Sequence, residues 1–165
     1  MLRPMTTRMR FSRINSFFHI VFPFSIDGDD DRTFKLPALV VNSGGVVVIT
    51  YKNLHGNVDN PYDGDWRLYE EGSVEQIKNP VTVGNIFCNS IKRMLKEKNL
   101  RNVPVINIIV YTERNVSFKI KISETVVPID RLPERLHDIN RDKFLSYTDK
   151  LKVVRAIKDL SISYK

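Results

Sequence analysis

Two apolar runs, Leu36 to Val41 and Gly45 to Tyr51, flank the short polar stretch Asn42-Ser43-Gly44-Gly45. Val and Ile suit a pleated surface, and glycine supplies the backbone angles that a tight turn needs, so the pattern predicts a β-hairpin. Both runs are apolar on both faces, which places them in the middle of a sheet covered on both sides. Side chains alternate along a strand: Val46, Val48, Thr50 and Lys52 share one face, and Val47, Ile49 and Tyr51 the other. A lysine therefore stands where the sheet ends, on the same side as a small hydroxyl residue. Upstream, Ser16 to Phe24 is a Phe-rich run with Ile20 and Val21. It predicts the first strand of the sheet, and Pro23 marks it as an edge.

Downstream, Asn53 to Asp65 is rich in Asn, Gly, Asp and Pro and reads as loop. Trp66 to Tyr69 predicts a short strand whose Trp packs on the sheet, and Glu70-Glu71-Gly72-Ser73 a turn. Asn79-Pro80 is a helix start, Asn capping free amides and Pro tolerated in the first turn. From there Val83, Ile86, Phe87, Ile91, Met94 and Leu95 recur at helical spacing, while Lys92, Arg93, Lys96 and Lys98 fall largely on the other side. Val105 to Tyr111 predicts a strand joined through that helix, which makes the sheet mixed. Val116 to Ile122 alternates like a half-solvated strand, and Val126 to Ile129 predicts a further short one. Asp130 to Ile139 predicts a helical turn carrying a surface His137. Ser146 and Asp149 have the spacing of a capping box for a last helix, buried along Leu151, Val154, Ile157 and Leu160. The fold expected is α/β: a single domain over residues 16–165 with a mixed central sheet flanked by helices. Residues 1–15, with Arg3, Arg8, Arg10 and Arg13 and no acid, read as a disordered basic arm or, alternatively, an organelle transit peptide.

A chain of 165 residues supports one good core. A formal charge of +7 and a pI near 9.6 favour an anionic partner such as nucleic acid or acidic lipid, or simply a basic surface. The single cysteine, Cys88, rules out an internal disulfide and suits a reducing, cytoplasmic setting; within an apolar helical pattern it reads as core. No apolar run has the length of a membrane span. Asp27-Gly28-Asp29-Asp30-Asp31 invites a calcium-loop reading, but Arg32 stands where glycine is required and Ala38 where the closing Glu is required, leaving a solvated turn.

The hairpin and the segments downstream of it resemble the nuclease-related domain family, a branch of the restriction-endonuclease-like superfamily. Its second strand typically reads Gly-Val-x-Val-Ile-Glu-x-Lys-Asn; here Gly45-Val46-Val47-Val48-Ile49-Thr50-Tyr51-Lys52-Asn53 stands in that place, followed by Gly56, Trp66, Asn79-Pro80, the strand at Val105 and Leu145-Ser146. The resemblance implies a restriction-endonuclease-like fold and a magnesium-dependent DNA nuclease site: an Asp and a Glu hold the metal, and a Lys assists the attacking water. By the hairpin register the Asp position is Pro37 and the Glu position Thr50. Neither replaces a carboxylate toward magnesium, so Lys52 alone of the three is retained. Val83 stands where a Gln often follows the Asn-Pro pair.

Three functions are compatible with these residues. One is a catalytically impaired module that binds nucleic acid through Lys52, His55, Lys92, Arg93 and Lys96, without metal or cofactor. A second is an active magnesium nuclease with relocated carboxylates, drawn from Asp27 to Asp31, Asp59, Asp63, Asp65 or Glu70. The third is a non-catalytic interaction domain that engages a protein partner or a second copy.

Overall fold

The computed structural model describes residues 19–21, 25–27, 33–35, 38–121 and 124–163, with side chains from Ala38 to Asp159. Pro37, the arm 1–15, the acidic turn 28–31 and the side chain of Leu160 lie outside the described residues. The predicted hairpin forms from β4 (Ala38–Asn42) and β5 (Gly45–Tyr51), antiparallel with Asn42 opposite Gly45. β1 (His19–Val21) pairs with β4 at one edge, as Pro23 implied; on the other side β9 (Val105–Tyr111) runs parallel to β5 and β11 (Val126–Pro128) parallel to β9. The result is a five-stranded mixed sheet in the order β1-β4-β5-β9-β11.

Three helices close it on both sides. α1 (Pro80–Glu97) and α3 (Tyr147–Ser163) lie over one face, where Val46 and Val48 meet Phe87, Ile91, Leu95, Val153 and Ile157. α2 (Leu132–Asn140) lies over the other, where Val47 and Ile49 meet Leu132, Leu136 and Ile139. The two sets are the two faces that strand alternation assigns, and burying each Val, Leu or Ile contributes about 1.5–3 kcal/mol. The turn joining β4 to β5 is itself buried, because α2 ends against it. Asn42 Nδ2 donates to the Leu136 carbonyl at 3.2 Å, and Asn140 Oδ1 accepts from the Ser43 amide at 2.9 Å. Gly44 is required by contact more than by backbone angle: a Cβ there would collide with the Ile139 carbonyl. Gly45 has φ +135 and does need the freedom of glycine.

A second sheet, β10-β6-β7-β8, was not expected from the pattern. It consists of β6 (Asn57–Asp59), β7 (Trp66–Glu70), β8 (Ser73–Ile77) and β10 (Ser117–Phe118), with β10 parallel to β6. β6 lies inside the stretch Asn53 to Asp65 that reads as loop, and among the described residues of Val116 to Ile122 only Ser117 and Phe118 pair as strand. Three-residue strands among Asn, Gly and Pro have no periodicity to read; their partners define them. Trp66 anchors this sheet: 1% exposed, it packs in a third cluster with Leu68, Ile109 and Val126. Its Nε1 donates to the Pro61 carbonyl at 3.2 Å, and its ring meets Phe118 edge-on. β2 (Ser25–Asp27) and β3 (Thr33–Lys35) form a separate antiparallel pair.

Asn79 Oδ1 accepts from the Val81 and Thr82 amides at 3.0 and 3.2 Å, the cap its sequence promised. The buried stripe of α1 differs from expectation in one place: Ile86 is exposed, and Gly84 and Cys88 face the sheet instead. In α3, Val153 and Ala156 join Val154 and Ile157 in the core. Ser146 and Asp149 close the cap: the Ser146 hydroxyl donates to Asp149 Oδ2 at 2.7 Å and accepts from the Asp149 amide at 3.1 Å. Asp130 to Ile139 is more than a turn, a 3₁₀ segment leading into α2, and His137 on it is exposed.

Candidate functional site

β5 carries Thr50 and Lys52 to the rim of the mixed sheet on the α1 side. The Lys52 amide donates to the Val110 carbonyl at 2.9 Å, so the backbone is held by β9 one residue past the end of β5. The ammonium, by contrast, makes no ion pair with any described carboxylate. Thr50 pairs with Ile109 and is 8% exposed; its Oγ1 is buried with no hydrogen-bond partner. An orphaned buried hydroxyl is uncommon in a folded protein.

A second such oxygen lies beside it, on a residue that the sequence reading passed over. Asn107 interrupts the apolar run of β9 and pairs with Val48, so its side chain shares the face of Thr50, one diagonal step away. Its Nδ2 donates to the Val81 carbonyl at 3.0 Å and to Asn85 Oδ1 at 3.1 Å, tying β9 to the first turns of α1. Its Oδ1 is buried without a partner. Gly84 makes room, since a Cβ there would strike the Asn107 amide. A polar residue in the middle of V-I-N-I-I-V-Y was the available signal. Val83, at the position where the resemblance expects Gln, is partly buried and packs with the core under α1.

His55 does not face open solvent. It sits between two carboxylates of the second sheet, Nδ1 2.8 Å from Glu70 Oε2 and Nε2 3.1 Å from Glu75 Oε2. The first contact is close but badly aligned for a hydrogen bond, as Nδ1 has no hydrogen-bond partner. Of the other acids considered for a relocated site, Asp63 is exposed, while Asp59 and Asp65 are engaged. Asp59 pairs with Lys119 at 3.2 Å. Asp65 accepts from Gln76 at 2.9 Å, which holds its carboxyl below the usual value, and lies 3.4 Å from Lys78. Among the described residues no three His, Cys, Asp or Glu side chains are placed to hold a metal ion.

Lys92, Arg93, Lys96 and Lys98 project from α1 and its C-terminal cap into solvent, without an ion pair among the described residues. Lys52 and His55 are not on that helix; the structure divides the predicted contacts between a strand end, a loop and a helix face. Cys88 faces the core beneath the same helix. Burial pushes its thiol up to about 11 against the opposing charge of Lys92, as befits a packed side chain rather than a nucleophile.

The sequence model of the nuclease-related domain matches residues 8–112, well over half of the chain. The chain belongs to the nuclease-related domain family. The match takes in the hairpin, Lys52, the second sheet's β6 to β8, α1 and β9. It ends where β9 ends, so β10, β11, α2 and α3 of this nuclease-related domain, including Leu145-Ser146, lie beyond it. No curated protein matches the chain. No helix of the described residues is long and apolar enough to cross a membrane.

Proposed function

We propose that this nuclease-related domain binds nucleic acid and has lost the metal-dependent step of its family. The observation that carries the reading is the pair Thr50 and Lys52: a lysine held at the strand end with no described carboxylate beside it, and a neutral hydroxyl on the strand where a metal-binding acid belongs. Magnesium demands oxygen ligands with charge in near-octahedral array. The buried hydroxyl of Thr50 does not fit that requirement, and Glu70, Glu75, Asp59 and Asp65 are engaged with His55, Lys119, Gln76 and Lys78. A cation freed of its acidic partners suits a phosphate oxygen. The exposed row Lys92, Arg93 and Lys96 supports the same partner, since helix-borne Lys and Arg fix a protein on a phosphate backbone without reading sequence.

The test is binding of a labelled duplex DNA at several salt concentrations, with cleavage assayed in magnesium and in manganese. Affinity falls steeply with salt, and replacing Lys92, Arg93 and Lys96 with Gln lowers the slope of log K against log salt by about 1 per cation. No cleavage is expected. Cleavage that stops in Lys52→Ala would instead establish an active nuclease with relocated carboxylates. Failure to bind DNA or RNA at low ionic strength would leave the interaction domain.

A further inference from the structure

β8 ends the second sheet, and among the described residues nothing pairs with its outer edge. The hairpin β7–β8 turns through Glu71 and Gly72 with φ 46 and 79, two positive values in succession, the mark of a type I′ turn. In such a hairpin the closing pair, Glu70 and Ser73, exchanges hydrogen bonds, and bonded pairs then alternate along the ladder. Ser73, Glu75 and Ile77 therefore turn their backbone groups inward to β7. Val74 and Gln76 turn theirs outward, giving two amides and two carbonyls in a row at the edge.

Natural edges are blunted by lysine, proline, a bulge or an inward-pointing charge. β8 has no lysine, no proline and regular one-to-one pairing, and its one charge, Glu75, is met by His55. Beside the first pair of open groups the side chains are apolar, Val74, 58% exposed, lying opposite Tyr69, 39% exposed, on the solvent face; beside the second, Gln76 lies opposite Arg67. The charge around them is mainly negative. Residues 57–78 hold six acids (Asp59, Asp63, Asp65, Glu70, Glu71 and Glu75) against two bases, in a chain whose total is +7.

We propose that β8 docks an extended basic peptide of a partner protein, which adds to the second sheet as a fifth strand. Main-chain bonds to Val74 and Gln76 give affinity. Specificity comes from alternation: apolar side chains lie over Val74 and Tyr69, and Arg or Lys on the other face approach Glu70, Glu71 and Glu75. This site is independent of the nucleic-acid reading, because it lies on another sheet and calls for a ligand of opposite charge.

The experiment uses the full chain and a fluorescein-labelled nonapeptide of alternating arginine and valine, followed by fluorescence anisotropy. Val74→Pro removes one outward amide without touching the β7 ladder, and an edge strand tolerates proline there. It is expected to weaken binding at least tenfold with an unchanged thermal midpoint. Glu75→Gln is expected to weaken it a few-fold, and an alternating glutamate and valine peptide to bind at least tenfold less. A ligand-side arm does not depend on the variant folding: N-methylation of one alternate set of peptide amides abolishes binding, and methylation of the other set does not. Equal binding of both methylated peptides, or unchanged binding to a folded Val74→Pro, would reduce the interaction to diffuse charge attraction and overturn the proposal. A dimer in sedimentation that Val74→Pro dissociates, with no peptide binding, would overturn it in favour of a second copy at the edge.

Discussion

The two sheets of this protein contrast in what covers them and in the charge they carry. The central sheet is sealed by α1 and α3 on one side and α2 on the other, so β4 and all but the last residue of β5 are buried. The second sheet presses one face on the core through Trp66 and Leu68 and leaves the other wet. Cations gather on the outer surface of α1, while acids gather along β6 to β8. A total of +7 is thus the sum of two unlike surfaces. Net charge predicted an anionic partner for the whole chain, but only the basic half of the molecule bears on that prediction.

The contrast breaks most sharply at Trp66. If one hinge of packing joins the two sheets, Trp66→Ala costs about 3–5 kcal/mol and lowers a single urea transition, whereas Val74→Ala on the wet face changes stability by less than about 0.5 kcal/mol. Two separated transitions in the wild-type protein would show instead that the sheets fold apart. The rim of the central sheet offers the next effect. Thr50→Val removes a buried hydroxyl that has no partner, at nearly constant shape, and stabilises the protein by about 1–2 kcal/mol; a loss of stability would mean that the hydroxyl is satisfied in solution. A smaller effect than at Thr50 belongs to the helical layer. Ser146→Ala removes the cap of α3 at a cost of about 1 kcal/mol.

That cap also has a pH signature. The Ser146 hydroxyl bond holds the Asp149 carboxyl below its ordinary value, with Lys152 adding to the effect. A carboxyl lowered in the folded state contributes stability that is present above the ordinary carboxylate range and is lost as pH falls through the lowered value. The difference between wild type and Ser146→Ala in thermal unfolding is therefore expected to be full at neutral pH and to shrink in acid. A difference that stays constant down to acid pH would remove Asp149 from the account.

Much of the central sheet was legible in the chain because its signals are local. Continuous Val and Ile runs gave β4, β5 and β9, the Asn-Pro pair gave the start of α1, and strand alternation assigned Thr50 and Lys52 to one face. The functional residues were less so. Asn107 was hidden inside an apolar strand, Ile86 fitted the helical period yet faces water, and nothing near His55 in sequence announced its partners Glu70 and Glu75. Of the second sheet, the strand from Trp66 to Tyr69 and the turn at Glu70 to Ser73 were legible, while β6 and β8 were not.

By itself, then, the sequence determined which segments bury themselves and which lysine ends β5, since burial follows from side-chain apolarity and from repeats of two or near four residues. The tertiary structure alone decided what surrounds those groups: that α2 buries the hairpin turn through Asn42, that two carboxylates bracket His55, that Thr50 and Asn107 share unsatisfied oxygens, and that β8 lies at an open edge. Those are relations between residues remote in the chain, set by which surfaces meet when the layers pack, and no local period encodes them.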